Sequence, residues 1–199
     1  MMEHLPKAIL AVSLALLAGC ATPRWTVVGG EYRDESKNVL VDLPKGWVKS
    51  GSGDSIFLTR EGGALQAIII SRHEIGENLP STKKKFQKGM LPQEVAEVAL
   101  DQFHSNPAFE RMTVLENRPE TIGGYAGFRS VFTYRSKNGV RYKIIFCGFL
   151  LENHFYFIRY SAAQRHYFDR DAETFEKVLH SFRLIKAPER PMEKKAAGA

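Results

Sequence analysis

Hydrophobic positions along this chain change period several times, and each change marks an element. Residues 8–18 form an uncharged, mostly apolar run that stops at Ala18-Gly19-Cys20. A polar, glycine-containing stretch follows up to Ser36, with a strand expected at 25–28. Strand signals then open at Val39-Leu40-Val41, before a turn at Pro44-Lys45-Gly46 and then Trp47. Segments 55–59 and 64–71 flank Gly62-Gly63 and predict a hairpin. Within it, Ile68-Ile69-Ile70 is β-branched throughout, which suits a strand buried on both faces.

The period then lengthens. Pro92 is favoured in a helix's first turn, and Leu91, Val95, Val98 and Ala99 share one helical face. Asn106-Pro107 ends this first helix. A second is predicted over 164–181, with Phe168, Phe175, Val178, Leu179 and Phe182 as its apolar stripe. Arg170, Glu173 and Lys177 then face outward.

Between the helices, Asn138-Gly139 separates two apolar runs and predicts a two-residue type I′ hairpin. Lys137 then stands opposite Val140. That register sets Thr133 against Ile144 and Val131 against Phe146 on one side of the sheet. It sets Phe132 against Ile145, Ser130 against Cys147 and Phe128 against Phe149 on the other. Both sides are apolar, so the sheet must be covered on both faces. A second turn at Glu152-Asn153 adds a strand over 154–160, with Ile158 beside Cys147 and Tyr156 beside Phe149. The pattern predicts one α+β domain, an antiparallel sheet covered by helices on both faces in an α/β/α sandwich.

The apolar N-terminal run follows Lys7 and precedes small residues, the layout of an export signal. It is shorter than the ~20 residues a spanning helix needs. Leu17-Ala18-Gly19-Cys20 resembles the lipobox of bacterial lipoproteins. That resemblance implies diacylglycerol on the Cys20 thiol, cleavage before Cys20 and acylation of the new amine. Cys20 is thus the expected lipid-attachment residue. Ala21 is not the aspartate that commonly retains lipoproteins at the inner membrane, so the periplasmic face of the outer membrane is favoured. The expected organisation is a signal peptide at 1–19, a tether at 20–35, the domain at 36–186 and a solvated, disordered tail at 187–199. The tail carries two prolines and mixed charge.

Composition adds limits. Hydrophobic residues at 44% and charged residues at 25% make an ordinary globular chain. Its net charge of +6 survives processing, because Glu3 and Lys7 leave together. Those charges are scattered, and no nucleic-acid partner is expected. With Cys20 acylated, Cys147 has no intramolecular disulfide partner.

Candidate chemistry is sparse. The six histidines, His4, His73, His104, His154, His166 and His180, lack zinc-helix or finger spacings, so no metal or cofactor is expected. His154 and Tyr156 share a strand face that would suit a pocket, but a packed or surface histidine is the simpler account. Cys147 with His154 would pair a nucleophile and a base, yet a mid-strand apolar setting makes the thiol inert. No Gly-x-Ser-x-Gly elbow or phosphate-cradling glycine pattern occurs. Lys83-Lys84-Lys85 with Lys88 reads as a solvated loop, or else as a contact for anionic lipid or polymer.

VLVDLPKGW at 39–47, the strands from Phe128 to Tyr160 and the closing FEKVLHSFRL at 175–184 resemble the PsbP-like (Mog1/PsbP) fold. The resemblance covers roughly residues 36–186 and implies a non-enzymatic binding or assembly module, with no binding residue to carry over. The expectation is a lipid-anchored, non-catalytic adaptor, held to the membrane through Cys20, whose partner is an unidentified envelope protein or ligand. A structural assembly factor is the alternative, and a hydrolase with a dispersed site the third.

Overall fold

The computed structural model describes residues 25–186. The signal segment, Cys20 and residues 187–199 lie outside the described residues. The elements are β1 (Trp25–Asp34), β2 (Val39–Ser50), β3 (Ile56–Thr59), β4 (Gln66–Glu74) and α1 (Pro92–His104). Next come β5 (Glu110–Ile122), β6 (Tyr125–Arg135), β7 (Arg141–Leu151) and β8 (His154–Ala163). The helix α2 (Tyr167–Ser181) and the short β9 (Arg183–Leu184) are the last elements among the described residues. The strands form one sheet in the order β1-β2-β3-β4-β8-β7-β6-β5, with β9 paired to β2. Neighbouring strands are antiparallel throughout.

Strand alternation divides the core. Ile145, Cys147 and Phe149 of β7 pack with Phe168, Phe175 and Val178 of α2. The intervening Ile144 and Phe146 pack with Val95, Ala99 and Phe103 of α1. Successive side chains on a strand point to opposite sides, so the two clusters lie on opposite sides of the sheet. Covering is nonetheless partial. α1 packs chiefly on β5, β6 and β7, and α2 on β2, β4 and β8. A helix ~10–12 Å across spans about two strands at ~4.8 Å spacing, so one helix per face leaves the flanks to water. β1 and β5 are accordingly mostly exposed.

Several expectations change. Within the span expected as tether, Trp25–Asp34 form the edge strand β1. Pro44-Lys45-Gly46 is not a chain reversal. β2 continues through it, because Val28 pairs with Trp47 and Gly30 with Leu43, leaving Gly29 opposite those three residues. Gly46 absorbs the irregularity at φ 78°. Leu91 caps α1 and is 55% exposed rather than facing the core.

The β6–β7 register also differs by one residue. Gly139 N–H donates to the Ser136 carbonyl at 2.8 Å, Ser136 N–H donates to the Val140 carbonyl at 2.9 Å, and Gly139 sits at φ 79°. A three-residue loop ending in a left-handed glycine replaces the type I′ turn, in which Asn138 would also need positive φ. Phe132 therefore pairs with Ile144, Val131 with Ile145, Ser130 with Phe146, Arg129 with Cys147, and Phe128 with Gly148. The Glu152-Asn153 turn places Ile158 opposite Cys147 and Tyr156 opposite Phe149, as expected.

Candidate functional site

The α1 side of the sheet holds an apolar cavity of about 210 Å³. β8 places Phe155, Phe157 and Arg159 along its floor, since alternate residues share a face. Phe146 of β7 stands directly opposite Arg159. Gln102 and Phe103 of α1 and His73 of β4 line it further. The remaining wall is Glu77-Asn78-Leu79-Pro80, from the connection over 75–91. That connection exceeds the ~12–15 residues usual for structureless loops, a length associated with function.

Two contacts fix the connection. Phe86 is buried and stacks on Phe155 with ring centroids 4.1 Å apart. Thr82 Oγ1 donates to the Asp101 carboxylate, and Lys84 Nζ lies 3.1 Å from it. These partners, Thr82 first, hold the Asp101 carboxyl below its usual range. Where the connection meets α1, the Glu94 carboxylate accepts the Leu91 N–H at 2.7 Å and satisfies one free donor of the helix start.

Arg159 gives the cavity its chemistry. Its guanidinium lies 5.5 Å from the Phe103 ring centroid, and its Nε is buried without a hydrogen-bond partner. Burial presses its pKa down, and Tyr134 acts in the opposite direction. None of the ion pairs among the described residues includes Arg159. At the rim, His73 stacks on Phe157 at 5.6 Å, with its Nδ1 3.9 Å from Glu77. An uncompensated cation among phenylalanines is costly, which makes it a receptor for negative charge.

The other hollows differ. One lined by Arg118, Glu120, Arg129 and Glu176 is internally neutralised. There Arg118 lies 2.6 Å from Glu116 and 2.8 Å from Glu120, and Arg129 Nη1 donates to Glu176 at 3.2 Å. Another, beside Arg111, Arg135 and Arg141, lies where β5 begins and the β6–β7 hairpin turns.

The residues singled out in the sequence do not assemble a reaction centre. Cys147 has no exposed surface and pairs with Ile158, whereas His154 pairs with Leu151, four positions further along β7. That separation is ~13 Å. His154 tilts against Tyr156 at 6.1 Å, and neither lines the cavity. His104 ends α1, His166 precedes α2, and His180 Nδ1 lies 2.7 Å from the Glu176 carbonyl. Lys83, Lys85 and Lys88 are exposed on the long connection, as expected of a solvated loop. His4 lies outside the described residues. Arg159 escaped notice although its signal was present: one charge inside FYFIRY, on the strand face of Phe155 and Phe157.

Among solved structures, cyanobacterial PsbP (CyanoP) of Synechocystis matches with a TM-score of 0.55 at 13% identity, over 85% of this chain and 99% of that one. Mog1p, the Ran-binding protein of Saccharomyces cerevisiae, matches at 0.53 and 10%, over 81% and 97%. A Bacteroides thetaiotaomicron protein matches at 0.52 and 15%, over 82% of this chain and 51% of that longer one. No protein-family model and no curated protein matches the chain. Identities this low establish the PsbP/Mog1-like fold alone, and function has to be argued from this chain's own residues.

Proposed function

We propose that this chain is a lipid-anchored, non-catalytic protein of the bacterial envelope, an α/β/α sandwich serving as a binding or adaptor module at the periplasmic membrane surface. The observation that carries the binding role is the cavity floored by Phe155, Phe157 and Arg159, a largely apolar enclosure with the Arg159 guanidinium to orient a ligand. Leu17-Ala18-Gly19-Cys20 supports the anchor, through two or three acyl chains on Cys20. Among the described residues no helix is long and apolar enough to cross a membrane. From Cys20 to Trp25 the chain reaches at most about 18 Å, which keeps the start of β1 near the lipid surface.

A structural assembly role is the second reading. It draws on the exposed apolar residues of the two edge strands, Trp25 and Val27 on β1 with Val114 and Leu115 on β5.

Metabolic labelling with palmitate tests the anchor. The wild type should incorporate label and mature, whereas Cys20→Ala should remain unlabelled at precursor length. Normal labelling and maturation of that variant would refute the lipid assignment. Screening generic ester, peptide and phosphate substrates tests the non-catalytic part. Robust turnover abolished by one cavity substitution would overturn it.

A further inference from the structure

We infer that the cavity between α1, the 75–91 connection and β8 is a receptor for a small organic carboxylate, a single anionic head on an apolar body, with Arg159 as the head-group contact. This deepens the binding-module reading and rests on it. Three observations converge. The first is size: about 210 Å³ suits a body of roughly ten non-hydrogen atoms. The second is lining. Phe103, Phe146, Phe155 and Phe157 with Leu79 and Pro80 enclose apolar surface and present ring faces or edges to it.

The third is charge. Arg159 is largely buried, carries an unpartnered Nε and has no acidic partner, whereas the part-buried Arg129 is paired. Arg129, its counterpart on the α2 side of the sheet, is held by Glu176 and Glu116. A planar guanidinium matches a carboxylate through two parallel N–H donors, which a neutral polar group cannot use as well. Glu77, the one carboxylate in the lining, lies at the exposed rim beside His73 and leaves Arg159 uncompensated. The head group therefore sits at the floor, and the body lies between Phe157 and the Leu79-Pro80 wall.

Calorimetric titration of the full mature lipoprotein in phosphatidylcholine nanodiscs, with empty nanodiscs as the blank, tests this. The probes are 3-phenylpropionate, the neutral 3-phenylpropan-1-ol, the cationic 3-phenylpropylammonium and the aliphatic octanoate. The acid should bind roughly tenfold to a hundredfold more tightly than the alcohol, with no measurable binding of the cation. Arg159→Met should remove the preference for the acid without lowering Tm, because an apolar side chain replaces an unpaired charge. If that variant does not fold, the acid-against-alcohol comparison on the wild type decides alone. Octanoate binding with the same dependence on Arg159 supports the site equally and identifies an acyl chain as the body.

Equal affinity for acid and alcohol would overturn the carboxylate assignment while leaving an apolar binding module in place. So would failure of both acids to bind below about 10 mM. Failure of the underlying reading looks different: hydrolysis of the 4-nitrophenyl ester of 3-phenylpropionate, lost in Arg159→Met, would make the protein an enzyme.

Discussion

Cys147 shows how one residue's environment decides its chemistry. It has no exposed surface in the middle of β7, and burial pushes its thiol up to about 12. Arg129 pulls the other way and does not offset that burial. Native protein should therefore resist maleimide at pH 8 and react fully in denaturant. Rapid labelling of the native state would show that β7 opens. The folded pKa also lies above the unfolded value of about 8.5. The unfolded state then sheds its proton first, so stability should fall as pH climbs from about 8.5 towards 12. Cys147→Ala should lack the part of this loss between about pH 8.5 and 10, as read by Tm against pH. Above that range the half-buried Tyr134 and the buried Tyr160 add a loss of the same sign. Arg159 is the converse case, a charge kept in apolar surroundings with no internal partner.

At the scale of elements, the long connection before α1 depends on Phe86 as a plug and Asp101 as a clasp. The Asp101 carboxyl is depressed in the folded state, from an unfolded value of about 3.9. Its contribution is thus complete above that value and disappears as pH falls through the lower folded one. Amide exchange over residues 75–91, corrected for intrinsic rates, should accelerate below about pH 4. Asp101→Asn should raise exchange at neutral pH and abolish the acid step. An unchanged profile would mean that Phe86 alone holds the connection. Both helices were legible in the sequence, α1 starting at Pro92 and α2 ending at Ser181, although α2 begins at Tyr167 rather than at 164. The β6–β7 register was not. With Phe128, Val131 and Phe132 on one strand and Ile144, Ile145 and Phe146 on the other, either alignment buries apolar residues on both sides.

Across the whole molecule, Asp171 ties α2 to the β3–β4 end of the sheet. This buried carboxylate lies 3.3 Å from Arg60 Nη1 and 2.8 Å from Arg170 Nη2, and it accepts from Gln66 Nε2 at 3.4 Å. Both arginines are more than a third exposed and would regain water if the carboxylate were removed, which limits the loss. Asp171→Ala should cost about 1–3 kcal/mol, chiefly from the unpaired Gln66 amide. At ~2–4 °C per kcal/mol, Tm would fall by several degrees. An unchanged Tm in calorimetry would mean that the network contributes nothing net to docking α2.

By itself, the sequence determined both helices and the strands at Val39 and around Gly62-Gly63, Asn138-Gly139 and Glu152-Asn153, whereas β5 was not among the strands it marked. It also determined the resemblance to the PsbP-like fold and the expectation that Cys20 is lipidated. These follow from local rules: hydrophobic period, turn residues, and a short motif placed directly after an apolar run. Tertiary structure alone decided that β4 lies beside β8, that β1 extends through the supposed tether, and that Phe86 folds back onto Phe155. It also decided that Arg159 meets Leu79, Pro80 and Phe103 around one cavity. Such meetings join residues far apart along the chain, and no local period encodes which distant surfaces will close on one another.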